Sequence, residues 1–167
     1  MIAAHCKRRA LALFRVMLVR DLRREGLVIH GIHHINFIVR DLETAVPRYQ
    51  RLLDRPVDRH DDLPERGVRT ARFRIGDLWL VLVQPTQTDS VPGRYLAEHG
   101  EGFFLLSFGV QSIETEAARL GTDWINGSSR SGLDRWWVLD LNPAQVCGAQ
   151  LQMCEDPVVA DGQVVTS

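Results

Sequence analysis

Cysteine is scarce in this sequence: Cys6, Cys147 and Cys154 are an odd number, widely spread, and contain no Cys-x-x-Cys pair. That argues against a disulfide framework and a thiolate zinc site, and it fits a reducing, cytoplasmic setting. An excess of charge of one sign is lacking too, since 20 Lys and Arg against 21 Asp and Glu leave a formal net charge of -1 and a pI near 6.6. No global field therefore steers the chain onto nucleic acid or an acidic membrane. No apolar run is long enough for a transmembrane helix, and no Ser-His-Asp order, phosphate loop or zinc-finger spacing is evident. What is there is 45% hydrophobic and 25% charged over 167 residues, enough for one globular domain with a real core.

The first thirty residues stand apart. Lys7-Arg8-Arg9 before Ala10-Leu11-Ala12-Leu13-Phe14 briefly resembles the opening of a secretory signal, but Arg15 and Arg20 interrupt it and no small-residue cleavage site closes it. Leu11, Phe14, Leu18 and Leu22 recur at spacings of three and four, the period of an amphipathic helix ended by Gly26. Residues 1–29 thus read as a helical extension that packs on the domain or on a partner subunit, the alternatives being a membrane-surface or nucleic-acid arm, or translation that begins at Met17.

From His30 the period changes to alternation. Ile32 to Val39 reads as a strand, and Asp41 as the N-cap of a helix with Leu42, Ala45, Val46, Tyr49 and Leu53 on one face and Pro47 in its first turns. Strands follow near 56–61, 68–75 and 78–84, with turns at Pro64 to Gly67 and at Gly76-Asp77. A linker over 86–101 holds a short helix near 93–98. The same order then restarts, with a strand over 103–110, a helix over 113–120, and strands near 123–125, 136–141 and 150–154. This is an internal repeat. The fold class expected is α+β, built of two tandem strand-helix-strand-strand-strand (βαβββ) units, 30–85 and 102–156, with a tail over 157–167.

The run Gly31 to Glu43, Gly76-Asp77 with Val83-Gln84-Pro85, and Gly100-Glu101-Gly102 opening the second unit together resemble the vicinal oxygen chelate superfamily. Its members include glyoxalase I, methylmalonyl-CoA epimerase, bleomycin-resistance proteins and extradiol dioxygenases. The resemblance covers residues 30–156, and Leu63 to Val68 with Gly100 to Gly102 make it most similar to the epimerase and glyoxalase branch. It implies a curved mixed sheet around a cleft, a homodimer, and a divalent metal held by four side chains from four strands. Such an ion stabilises an enediolate-like charge while a neighbouring carboxylate moves the proton.

Carried over position by position, the metal set comes out degenerate. His34 matches the first-strand histidine, but the fourth-strand ligand falls at Val81, the second-unit ligand at Leu105, and the last-strand glutamate at Gln152. One imidazole and one amide do not satisfy a divalent ion, so no metal or other cofactor is expected there. A site relocated to His33, His60 or His99 is disfavoured, because alternation turns His33 away from His34 and the others fall in turns or helix ends. Alternation also lines the cleft with His34, Asn36, Ile38, Trp79, Val81, Val83, Leu105, Ser107, Gln150, Gln152 and Cys154. Arg72 and Arg74 share a face and could grip an anion beside it. One of Trp136 and Trp137 could stack on a ligand, and Ser128 to Gly132 reads as a mobile loop near the cleft mouth.

Two functional classes follow. One is a metal-independent protein that binds a small hydrophobic or amphiphilic molecule. The other is a lyase or epimerase of a 2-oxoacid derivative, thioester or acyl-CoA, with His34 as general base and Gln152, Asn36 and Arg72 to hold the enolate. Neither involves nucleic acid or a membrane. A third outcome is a collapsed cleft in which His34 and Gln152 hydrogen-bond each other.

Overall fold

The computed structural model describes residues 29–157. The helix expected in the N-terminal extension and the tail lie outside the described residues, apart from Ile29 and Pro157. The elements run β1 (Ile29–Ile38), α1 (Leu42–Leu53), β2 (Arg59–Leu63), β3 (Val68–Ile75), β4 (Leu78–Pro85), α2 (Val91–His99), β5 (Gly102–Val110), α3 (Ile113–Leu120), β6 (Ile125–Ser131), β7 (Trp137–Leu141) and β8 (Leu151–Glu155). All eight strands join one mixed sheet, ordered β2-β3-β4-β1-β5-β8-β7-β6 and curled into a half-barrel. β1 pairs in parallel with β4, β5 does the same with β8, and β1 and β5 run antiparallel along the seam. The βαβββ order thus occurs twice.

Local chemistry explains the helices. The Asp41 side chain accepts hydrogen bonds from the backbone N–H groups of Glu43 and Thr44, satisfying two of the donors that a helix start leaves open. Pro47 sits in the second turn of α1 without ending it. The face carrying Leu42, Ala45 and Val46 is buried on Ala71, Phe73 and Leu82, with Tyr49 and Leu53 at its margin. In the second unit Ser112 caps α3, and Ile113, Ala117 and Leu120 cover Leu139, Leu141 and Met153. Each helix therefore coats the convex side of its own half of the sheet. By strand alternation the intervening residues of β1, β3, β4, β5, β7 and β8 face the concave side.

Several boundaries differ from the sequence reading: β1 runs Ile29–Ile38 rather than from Ile32 to Val39, and α2 runs Val91–His99 rather than 93–98. β2 starts at Arg59 rather than near Pro56, which has no N–H to give to a ladder. β6 spans Ile125–Ser131, where the sequence suggested a strand at 123–125 followed by a loop; residues 122–124 form a 3₁₀ turn instead. β6 is almost wholly exposed and its register slips between Asn126 and Arg130, so it has no buried face to print an alternation on the sequence. The final strand starts at Leu151, leaving Gln150 just ahead of it.

Phe73 is fully buried under α1. Phe73→Ala is expected to lower the unfolding free energy by about 3–5 kcal/mol in a urea titration, the usual cost of emptying so large a core site. A loss well under 1 kcal/mol would contradict the packing described.

Candidate functional site

Strand register sets two rows of side chains across the concave face. One runs Arg72, Val81, Asn36, Leu105 across β3, β4, β1 and β5. The next runs Arg74, Trp79, His34, Ser107, Gln152, Asp140 from β3 to β7. Eight of the residues named from sequence, His34, Asn36, Trp79, Val81, Leu105, Ser107, Gln152 and Arg72, therefore lie together. Gln150 lies beside them, partly buried just before β8.

His33 does not turn away, as simple alternation required. Ile32 pairs with Phe108 and His34 with Ser107, so three residues of β1 oppose two of β5 and His33 is the extra one. This β-bulge resets the direction of the side chain. Both imidazoles are buried, with their Nδ1 atoms 2.9 Å apart and their rings nearly perpendicular at 83°. Nε2 of His33 lies 3.2 Å from a carboxylate oxygen of Asp156. The other two histidines weighed for a relocated site stay outside this group. His60 is on β2 rather than in a turn, and His99 stacks on Tyr95 at the end of α2.

His34 lies within a closed polar set. Its ring hydrogen-bonds Gln152, whose Nε2 donates to Asp140 at 2.6 Å and whose Oε1 accepts from Ser107 Oγ at 3.4 Å. The Trp136 indole stacks on His34 at 5.4 Å between centroids and 17° between planes, and meets His33 edge-on at 4.5 Å. Burial, then the neighbouring His33, lowers the His34 pKa to about 3, so the ring is neutral at physiological pH. Burial also pushes the Cys154 thiol up.

Arg72 does not reach out for a ligand. Its guanidinium is fully buried; Nε donates to Asp61 at 2.9 Å and NH1 to Asp134 at 2.7 Å. It also lies 5.3 Å from the Trp79 ring and 5.4 Å from the Trp136 ring. Arg74 lies over Trp79 at 5.1 Å. Asp134 and Arg135, in the turn before β7, have φ of 49° and 70°, left-handed values uncommon for residues with a Cβ. That turn carries Asp134 to Arg72 and Trp136 into the concave face.

The interior is thus occupied by Trp136. A hollow of about 390 Å³ lies elsewhere, at the start of α1, lined by Phe37, Arg40, Arg48, Tyr49 and Glu101 among others. The four positions of the divalent-metal set do not fit such an ion. Val81 and Leu105 have no donor atom, and the Gln152 amide is already engaged by Asp140 and Ser107. Sequence reasoning passed over Asp61 on the polar strand β2, Asp134 in a turn, and Asp140, a single carboxylate within the apolar run of β7. The basic pair Arg72 and Arg74 on the inward face was the hint that carboxylates had to be near.

A family model for the glyoxalase/bleomycin resistance protein/dioxygenase superfamily matches residues 33–125. The uncharacterized protein YqjC of Bacillus subtilis (strain 168) is 22% identical over 130 residues, covering 76% of this chain and 93% of its own length. Among solved structures, a variant of Streptomyces coelicolor methylmalonyl-CoA epimerase in complex with 2-nitronate-propionyl-CoA superposes with a TM-score of 0.73 at 26% identity. That match covers 78% of this chain and 97% of the epimerase. The methylmalonyl-CoA epimerase of Mycobacterium tuberculosis, at 20% identity, shares the fold with a TM-score of 0.72, covering 81% of this chain and 95% of its own.

The buried neutral His34 has a stability signature. Between pH 6.5 and about 3 the unfolded chain takes up a proton on this residue that the folded chain refuses, so stability falls as pH drops through that window. Urea unfolding at stepped pH is expected to lose on the order of a few kcal/mol through His34, and His34→Gln to flatten the slope. Asp134, held below its usual range first by its hydrogen bond from Arg72, adds a second loss at lower pH. Arg72→Met should remove that second loss, and an unchanged acid limb would contradict the pairing.

Proposed function

Since the chain belongs to the glyoxalase/bleomycin resistance protein/dioxygenase superfamily, we propose that it binds a small hydrophobic or amphiphilic molecule on the concave face. It does so without a divalent metal at His34, Val81, Leu105 and Gln152, where the superfamily commonly holds one. The observation that carries this reading is Asn36. Its Oδ1 is buried with no hydrogen-bond partner among the described residues, in the row between Val81 and Leu105. An orphaned buried carbonyl costs about 1–3 kcal/mol, which a ligand donor would recover. Apolar walls with a few fixed polar atoms are the usual make-up of such sites.

Entry requires the turn carrying Trp136 to swing out. Its strained Asp134 and Arg135 favour that movement, and the Arg72 pairing with Asp134 opposes it. A ligand with an aromatic or acyl face would take over the Trp136 contacts with His34 and Trp79. A homodimer acting in the cytoplasm is the setting this reading assumes.

A second reading, epimerisation of an acyl-CoA, is favoured by the likeness to methylmalonyl-CoA epimerases at 26% identity. The chemistry of this chain weighs against it. A ring with a pKa near 3 is a feeble base toward a thioester C–H, and Gln152 offers no carboxylate to return the proton. Asp140 is bound to Gln152 and to Arg130.

Tryptophan fluorescence titrated with fatty acids, aromatic amphiphiles and acyl-CoA thioesters separates the readings. Saturable quenching by one class is expected, weakened about tenfold in Asn36→Ala, a loss equivalent to ~1.4 kcal/mol. No saturable binding by any class would end the ligand proposal. Deuterium exchange at C2 of methylmalonyl-CoA should not exceed the buffer blank. Exchange that disappears in His34→Ala would establish the second reading instead.

A further inference from the structure

We propose that His33, His34 and Cys154 form a buried three-donor site for a monovalent copper ion. One donor atom from each of these side chains lies within 4.8 Å of the others, and all three residues are buried. Only His34 belongs to the position set that the family resemblance implies. His33 enters through the β1 bulge, and Cys154 stands on β8.

The hydrogen bonds around the pair turn one ring nitrogen of each histidine toward the other. Asp156 calls for the His33 proton on Nε2, and Gln152 accepts from the His34 ring. With each ring engaged at its outer edge, the two Nδ1 atoms face each other at 2.9 Å. A proton can bridge that gap, and so can a metal. A carboxylate behind a ligating imidazole is also the arrangement that fixes its tautomer and orientation.

Donor type, coordination number and charge together select the ion. Two imidazoles and a thiolate are soft to borderline donors, suited to copper and zinc, and ill-suited to magnesium, calcium or manganese. Zinc demands a fourth ligand, commonly a water when the protein supplies three. Here the Trp136 ring covers both imidazoles and leaves no open face on that side. Monovalent copper accepts three donors. Its binding displaces one proton from the Cys154 thiol to solvent, so one positive charge enters and one leaves. A divalent ion would leave a net positive charge buried near Arg72, which already disfavours charge on His34.

The site does not depend on the ligand reading, and its test uses no organic ligand. The full chain carrying Cys6→Ser and Cys147→Ser, which removes the other thiols, is titrated anaerobically with Cu(I) against a chromophoric Cu(I) chelator. One equivalent is expected to be retained, with Cys154→Ser and His33→Ala each weakening binding at least tenfold and His60→Ala leaving it unchanged. X-ray absorption at the copper edge of the chain with Cys154 intact should report one sulfur and two nitrogen neighbours, a readout independent of whether the variants fold. Sub-stoichiometric copper, binding that survives Cys154→Ser, a shell without sulfur, or tighter retention of Zn(II) than of Cu(I) would each overturn the assignment.

Discussion

A single buried cation organises the concave face. Arg72 has no exposure to water, and a guanidinium in that position is tolerated only if its donors are occupied. Asp61 supplies one partner from the adjacent strand, and Asp134 the other from a turn in the opposite unit. The second contact ties β3 of the first unit to the β6–β7 connection, across the open mouth of the half-barrel. Arg59 adds an exposed pairing to the same Asp134. Once that turn is held down, Trp136 must enter the interior, where it stacks on His34 and lies against Arg72. Burial first, then the neighbouring His33, keeps His34 neutral, and Trp136 also packs against the buried Cys154.

The arrangement departs from a divalent-metal centre by more than its missing ligands. A metalloenzyme of this architecture needs an interior that admits substrate oxygens. Here the Gln152 amide is held by Asp140 and Ser107, so little free energy remains to be gained by recruiting an ion at that position. An unsatisfied atom lies beside them, the Asn36 Oδ1, and the two Nδ1 nitrogens of the histidine pair meet 2.9 Å apart.

Much of this was legible in the chain. The βαβββ repeat, the Asp41 cap, the β3 and α3 spans and the inward set of His34, Val81, Leu105 and Gln152 all follow from period, capping and turn residues, because each rests on local sequence. The bulge at His33 did not, since nothing in Ile32-His33-His34 marks where an extra residue will be absorbed; that is decided by the partner strand. Nor did β6, whose exposed residues need no hydrophobic alternation. The role of Asp134 escaped for a third reason: its importance arises from a residue 62 positions away, and no local pattern records such a pairing.

The two helices on the convex side cover separate cores. α1 packs with Ala71, Phe73 and Leu82, while α3 packs with Leu139, Leu141 and Met153. The units meet along the β1–β5 seam, and the mouth is bridged by the Arg72–Asp134 pair and by Trp79 and Leu133 packed among residues of both units. Such a chain has two places where collapse can begin, each using contacts within its own half, and a final step in which the seam zips and the mouth is pinned. The parallel pairings β1–β4 and β5–β8 close inside each half, so neither half waits on the other for its longest loop. Docking of the halves is then the event that first buries the histidine pair and Arg72, which makes the concave face the last part of the molecule to leave water.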